Sequence, residues 1–247
     1  NGFSITGDGD SIGVNVNSGL NSVTVKNFGL IGNYTNAVYM DNLNNVTIYN
    51  NTFEGTNITT SSNHIINFVS SITLANISEN TITSFTNNSY PIYAQTSLNL
   101  TIDNNTLTST GYIAGYGISF TGSNLSTIKN NVINANNPSE ARAISLDTDS
   151  SQNIITENTI NILGIDNSGL GGTGIYLSNA GVSNSITNNT ITIAGSSSNA
   201  VHVLGTQLSS ITNNTMTTND TSAYVIQLSS SSHNTTISEN NLNTTGA

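Results

Sequence analysis

The sequence predicts an all-β fold, a parallel β-helix (solenoid) of about nine coils, each of about 26 residues with three short strands. Three observations predict it. One motif recurs along the chain, as in "TIYNNTFEG", "TIDNNTLTS" and "ITNNTITIAG". Two apolar columns keep fixed offsets within each copy. An Asn stands at the same place in nearly all of them.

The elements follow from an anchor residue just before that Asn: Asn27, Asn50, Glu79, Asn104, Asn130, Glu157, Asn188, Asn213 and Glu239. Upstream lies an alternating pair, such as Val38/Met40, Ile118/Phe120 or Ile175/Leu177, which reads as a first strand with one face buried. Gly or Ala often precedes it, as at Gly117 and Gly174. A β-branched residue two before the anchor, from Val25 through Ile102 and Ile186 to Ile237, marks a second strand. An apolar residue three after it, from Leu30 through Leu107 and Ile191 to Leu242, marks a third. No segment has helical periodicity long enough for a leucine-rich horseshoe, and the repeat is too short for a propeller blade.

Between the second and third strands stand Asn51, Asn80, Asn105, Asn131, Asn158, Asn189, Asn214 and Asn240, with Phe28 breaking the column. An Asn side chain both donates and accepts, so a stack of them is expected to bond along the axis as an Asn ladder. Asn also tolerates left-handed backbone, which places these residues at the bend. They cannot be glycan acceptors, because the residue two beyond each is an apolar core position. The preceding Asn50, Asn104, Asn188 and Asn213 do form sequons and are the candidate glycosylation sites. Sequons are no more frequent than this composition gives by chance.

The composition narrows function. Of 247 residues, 3 are Lys or Arg and 13 are Asp or Glu, for a formal charge of -10. Nucleic acid and an anionic membrane are poor partners for such a chain. No apolar run approaches a membrane span, and there is no Cys for disulfides or thiolate metal sites. Asn numbers 44 and Ser plus Thr 71, so solubility rests on neutral polar side chains.

With these columns the whole chain, 1–247, resembles the right-handed parallel β-helix superfamily, which includes pectate lyases and many surface proteins. Its Asn/Thr-rich, low-charge composition resembles adhesin-like surface proteins. The resemblance implies a right-handed single domain. The expectation drawn from it is a non-catalytic extracellular or cell-surface module, structural or adhesin-like. It would be a segment of a longer array or a fibre subunit stacking end to end on itself, or would bind a host or cell-surface glycan or protein. The alternative is a polysaccharide lyase or hydrolase of the pectinase-like type. A third reading is an ice-binding solenoid, from outward Thr pairs such as Thr81/Thr83, Thr106/Thr108, Thr190/Thr192 and Thr215/Thr217.

Candidate sites are sparse. Tyr39, Tyr93 and Tyr176 share one outward column of the first strands, with Tyr90, Tyr112 and Tyr116 nearby, and His202 lies in the same column. Amphipathic rings suit a glycan or protein partner. A lyase would want several Ca²⁺-binding acids and a base, whereas Asp41 and Asp147 are four coils apart. Arg142, the one Arg, shares a coil with Asp147 and Asp149 and reads as part of a solvated surface cluster. Gly7–Asp10, "GDGD", reads as a turn. No catalytic set, metal or cofactor is expected.

Overall fold

The computed structural model describes residues 3–56, 64–85, 90–110, 115–136, 141–163, 172–195, 197–219 and 222–245. They form a parallel β-solenoid with an Asn ladder, as the columns predict. Every strand pairing is parallel. The β-branched column becomes a nine-stranded sheet in which Ile77, Ile102, Ile128, Ile155, Ile186 and Ile211 stand in register. Nine strands enclose eight turns, so the count of nine coils is corrected to about eight.

The first and third strands belong to one 17-stranded sheet. Two long strands join them. Phe3–Val16 and Phe28–Asp41 each run through both positions without the bend found in later coils. Three short strands per coil therefore holds only from the third coil onward. For the same reason Gly7–Asp10 is not a turn: it lies within a strand whose pairing register shifts between Asp8 and Ser11.

A middle coil shows why the sequence folds this way. Strands Gly115–Thr121, Thr127–Lys129 and Val132–Ala135 send Ile118, Phe120, Ile128, Ile133 and Ala135 inward, all fully buried. Each stacks on its equivalents above and below, so burial of large aliphatic side chains, worth roughly 1.5–3 kcal/mol each, repeats at every turn. Gly174 is required where the chain enters a first strand. A Cβ there would lie 2.5 Å from the Ala200 carbonyl oxygen and 2.7 Å from Ile191 Cγ2.

The Asn column is the predicted ladder. Asn105, for example, donates from its backbone N and its Nδ2 to Asn131 Oδ1, at 3.0 Å each. Its Nδ2 also reaches the carbonyls of Ile77 and Asp103. The left-handed residue is not the ladder Asn, however. It is the anchor before it, including Asn50, Glu79, Asn104, Glu157, Asn188 and Asn213, with φ between 52° and 58°. Turning the chain at the anchor leaves the ladder side chain pointing inward, where its amide is needed. The four sequon Asn are exposed at these anchors, and Asn50 Nδ2 and Asn213 Nδ2 donate to the Asn27 and Asn188 side chains. At the bend between first and second strands a mixed ladder does similar work: Ser97 N donates to Ser123 Oγ, and Ser123 N to Ser150 Oγ.

That bend has its own left-handed column. Asn45 and Asn99 occupy it comfortably, whereas Leu74, Leu125 and Leu208 hold φ of 57°, 56° and 53°. Left-handed backbone costs a non-Gly residue roughly 1–2 kcal/mol, less for Asn. Leu125 is 51% exposed and gains little packing in return. Leu125→Asn is therefore expected to stabilise the fold by about 1 kcal/mol. A urea midpoint that does not rise would contradict this.

Candidate active site

The outer face of the first strands forms a grid whose rows are coils, about 4.8 Å apart. Three columns of side chains point outward. The middle one carries Tyr39, Asn67, Tyr93, Ser119, Ser145, Tyr176, His202 and Gln227. Two residues later stand Asp41, Val69, Gln95, Thr121, Asp147, Ser178, Leu204 and Ser229. Three residues before the middle column the sequence supplies Asn36, His64, Tyr90, Tyr116 and Arg142 in successive coils.

Those side chains meet in a continuous string. His64 packs on Tyr93 and Tyr90, with ring centroids 4.6 and 4.8 Å apart. Tyr90 stacks on Tyr116 at 4.6 Å, with an interplanar angle of 13°. The Arg142 guanidinium lies 5.6 Å from the Tyr116 ring centre and 4.0 Å from that of Tyr176, a cation–π arrangement on both sides. Tyr176 then meets His202 at 5.1 Å, and His202 Nε2 contacts Ser229 Oγ at 2.8 Å. The string brings together Tyr93, Tyr176 and His202 as named from sequence. Tyr39 stands apart, two rows from Tyr93 with Asn67 between, and Tyr112 lies outside the described residues.

Asp147 lies beside this string, in the row of Arg142. Ser145 Oγ donates to Asp147 Oδ2 at 2.8 Å. Burial raises the Asp147 pKa, opposed by that hydrogen bond and by the Arg142 charge. Asp147 and Arg142 are thus half-buried members of an aromatic site, not a solvated surface cluster; only Asp149 is exposed. Burial also lowers both histidines, His64 to about 4, and for His202 the Arg142 charge adds to the effect. Both rings are then mainly neutral near pH 7. In the middle column Ser119 and Ser145 take the places that Tyr93 and Tyr176 hold in the flanking rows, and keep that column low beside Asp147. Among the described residues no group of three or more His, Asp or Glu is placed to hold a metal ion, and no helix is long and apolar enough to cross a membrane.

Of the rings and the cation in this string, only His64 was not singled out from sequence, and the first-strand alternation does not point to it. One step upstream the alternation reaches Ile65, Pro91, Gly117 and Ala143 instead; the outward residues His64, Tyr90, Tyr116 and Arg142 stand one position further, out of phase with it. The Thr pairs of the third strand do face outward in register, but Val132, Asn134 and Asn161 interrupt the array.

No family model matches the chain, and no curated protein matches it. Solved structures do. DFA-IIIase from Arthrobacter chlorophenolicus A6 in complex with GF2 is 17% identical, with a TM-score of 0.64 over 86% of this chain and 54% of that one. The same enzyme without its lid is 16% identical, with a TM-score of 0.67 over 90% of this chain and 58% of that one. The chain is a parallel β-helix protein. It spans a little over half the length of the DFA-IIIase chains it matches. At these identities the likeness carries the fold. The matched structures are of an enzyme, and that finding corrects the expectation of a non-catalytic surface module. These matches do not show the resemblance to adhesin-like proteins.

Proposed function

We propose that the protein is a carbohydrate-active enzyme, a glycoside hydrolase working on the outer face of the first strands. The observation that carries this reading is Asp147: a carboxyl with a raised pKa, hydrogen-bonded by Ser145 and set beside an aromatic string that includes the one Arg. A carboxylic acid whose pKa is raised holds its proton to higher pH than an ordinary one, which suits protonation of a glycosidic oxygen. Asp147 gives that proton as the bond to the leaving sugar breaks. Arg142 and the Ser145 hydroxyl then steady the carboxylate left behind. Water forms the new bond to the sugar carbon as the glycosidic bond breaks, and Asp149, two residues on and exposed, is the carboxylate assigned to take that water's proton. The fold similarity to DFA-IIIase supports an enzyme on this scaffold.

The test is turnover. The chain is incubated with linear neutral oligosaccharides and with oligogalacturonates, and new reducing ends are measured. Release by the wild type that falls at least about 100-fold in Asp147→Asn supports the reading. Absence of release from every substrate, or release that Asp147→Asn leaves intact, overturns it.

A further inference from the structure

We propose that the glycan bound at this face is neutral and linear, runs along the solenoid axis, and is held by the polar edges of the aromatic string rather than stacked on ring faces. The proposal rests on the glycoside-hydrolase reading and adds the substrate class and mode of recognition.

One face of several of these rings is already used. Tyr90 gives its face to Tyr116, His64 to Tyr93, and Tyr176 to Arg142. The 4.6 Å between stacked rings nearly equals the spacing of about 4.8 Å between parallel strands, so the backbone itself sets the stack. A flat ligand stacked on one of those faces would have to displace its present partner. Toward a ligand the string also presents ring edges and the phenolic hydroxyls of Tyr90, Tyr93 and Tyr176, each hydroxyl a donor and an acceptor. From Tyr93 to His202 the row covers four coil spacings, about 19 Å. That length takes a chain of several sugar units rather than a single one.

Charge selects among glycans. Burial keeps the Tyr90 phenol protonated and both histidines neutral, so the row carries one cation, Arg142, beside Asp147. Elsewhere Lys129 lies 3.4 Å from Asp103, on the second-strand sheet. With a net charge of -10, a polyuronate would be repelled over the whole approach and met by a single guanidinium. A neutral polyol pays no such penalty and can hydrogen-bond along the string.

Calorimetric titration of Asp147→Asn, which leaves ligand uncleaved, tests this. The probes are laminari-, xylo- and fructo-oligosaccharides from tri- to hexasaccharide, with oligogalacturonates of equal length. At least one neutral series should bind more tightly as it lengthens, with little response to salt. Tyr90→Phe and Tyr93→Phe, which keep the rings stacked, should each weaken hexasaccharide binding about five- to tenfold. Circular dichroism checks that the variants fold. Wild-type affinity in both Phe variants would overturn edge recognition. Tighter, salt-sensitive binding of oligogalacturonates that Arg142→Ala abolishes, or binding by no neutral series, would overturn the substrate class. Neutral-glycan binding without wild-type turnover would instead sink the hydrolase reading and leave this one standing.

Discussion

Replacing Asn131 by leucine is expected to destabilise the fold by about 3–5 kcal/mol, although the side chain stays similar in size. Asn131 is fully buried in the middle of the ladder. Its Oδ1 accepts from the backbone N and Nδ2 of Asn105. Its Nδ2 donates to the carbonyls of Ile102 and Lys129 and to Asn158 Oδ1. Leucine would leave the buried Asn105 N–H without its acceptor, at about 1–3 kcal/mol, and would remove the side-chain hydrogen bonds to the Ile102 and Lys129 carbonyls and to Asn158, at about 1 kcal/mol each. Phe28 shows where the column tolerates an apolar residue: its own N–H still donates to Asn51 Oδ1, and its neighbour in the preceding coil is Phe3, not an Asn rung. Asn240→Leu, at the part-exposed far end, should cost no more than about 1 kcal/mol by the same reasoning. Urea unfolding of both variants decides the matter. Equal small shifts would mean that the ladder contributes little.

The ladder was legible because it repeats. A column present in eight coils reveals its offset, and the offset gives the strand, the bend and the core face. Residues off the repeat gave weaker signals. The left-handed anchor accepts Glu79 and Glu157 as readily as Asn50, so residue type alone did not mark the backbone conformation. The two long strands near the start have ordinary strand composition, and nothing in it shows that a bend is missing. The site suffered most. His64, Tyr90, Tyr116 and Arg142 share a column yet differ in kind, so no pattern of identity joins them; only stacking distances do. Composition, dominated by Asn, Ser and Thr on the remaining faces, drew the functional reading toward a passive surface module. A few residues on one face, which composition cannot weigh, point the other way.

Asp147→Asn is expected to lose at least about 100-fold in turnover while gaining stability at neutral pH. Burial raises the Asp147 pKa more than Ser145 and Arg142 lower it. The folded state therefore holds this proton more tightly than the unfolded chain does. Stability from this group is fully present below the ordinary carboxylate range and is lost as pH rises from that range through the raised value. Above it, an ionised and half-buried Asp147 is a standing cost, which a neutral Asn removes. Turnover should have the same sign: the acid form donates the proton, so activity falls as pH rises through the Asp147 pKa. Arg142→Met, by removing the charge that opposes the burial effect, should move that alkaline limb to higher pH even as kcat drops. A merely structural Arg142 would lower activity without moving the limb. Thermal melts of Asp147→Asn at neutral and acid pH complete the test: the stabilisation should vanish below the ordinary carboxylate pKa. A variant that is inactive and also less stable at neutral pH would show that Asp147 holds the fold together rather than serving the chemistry.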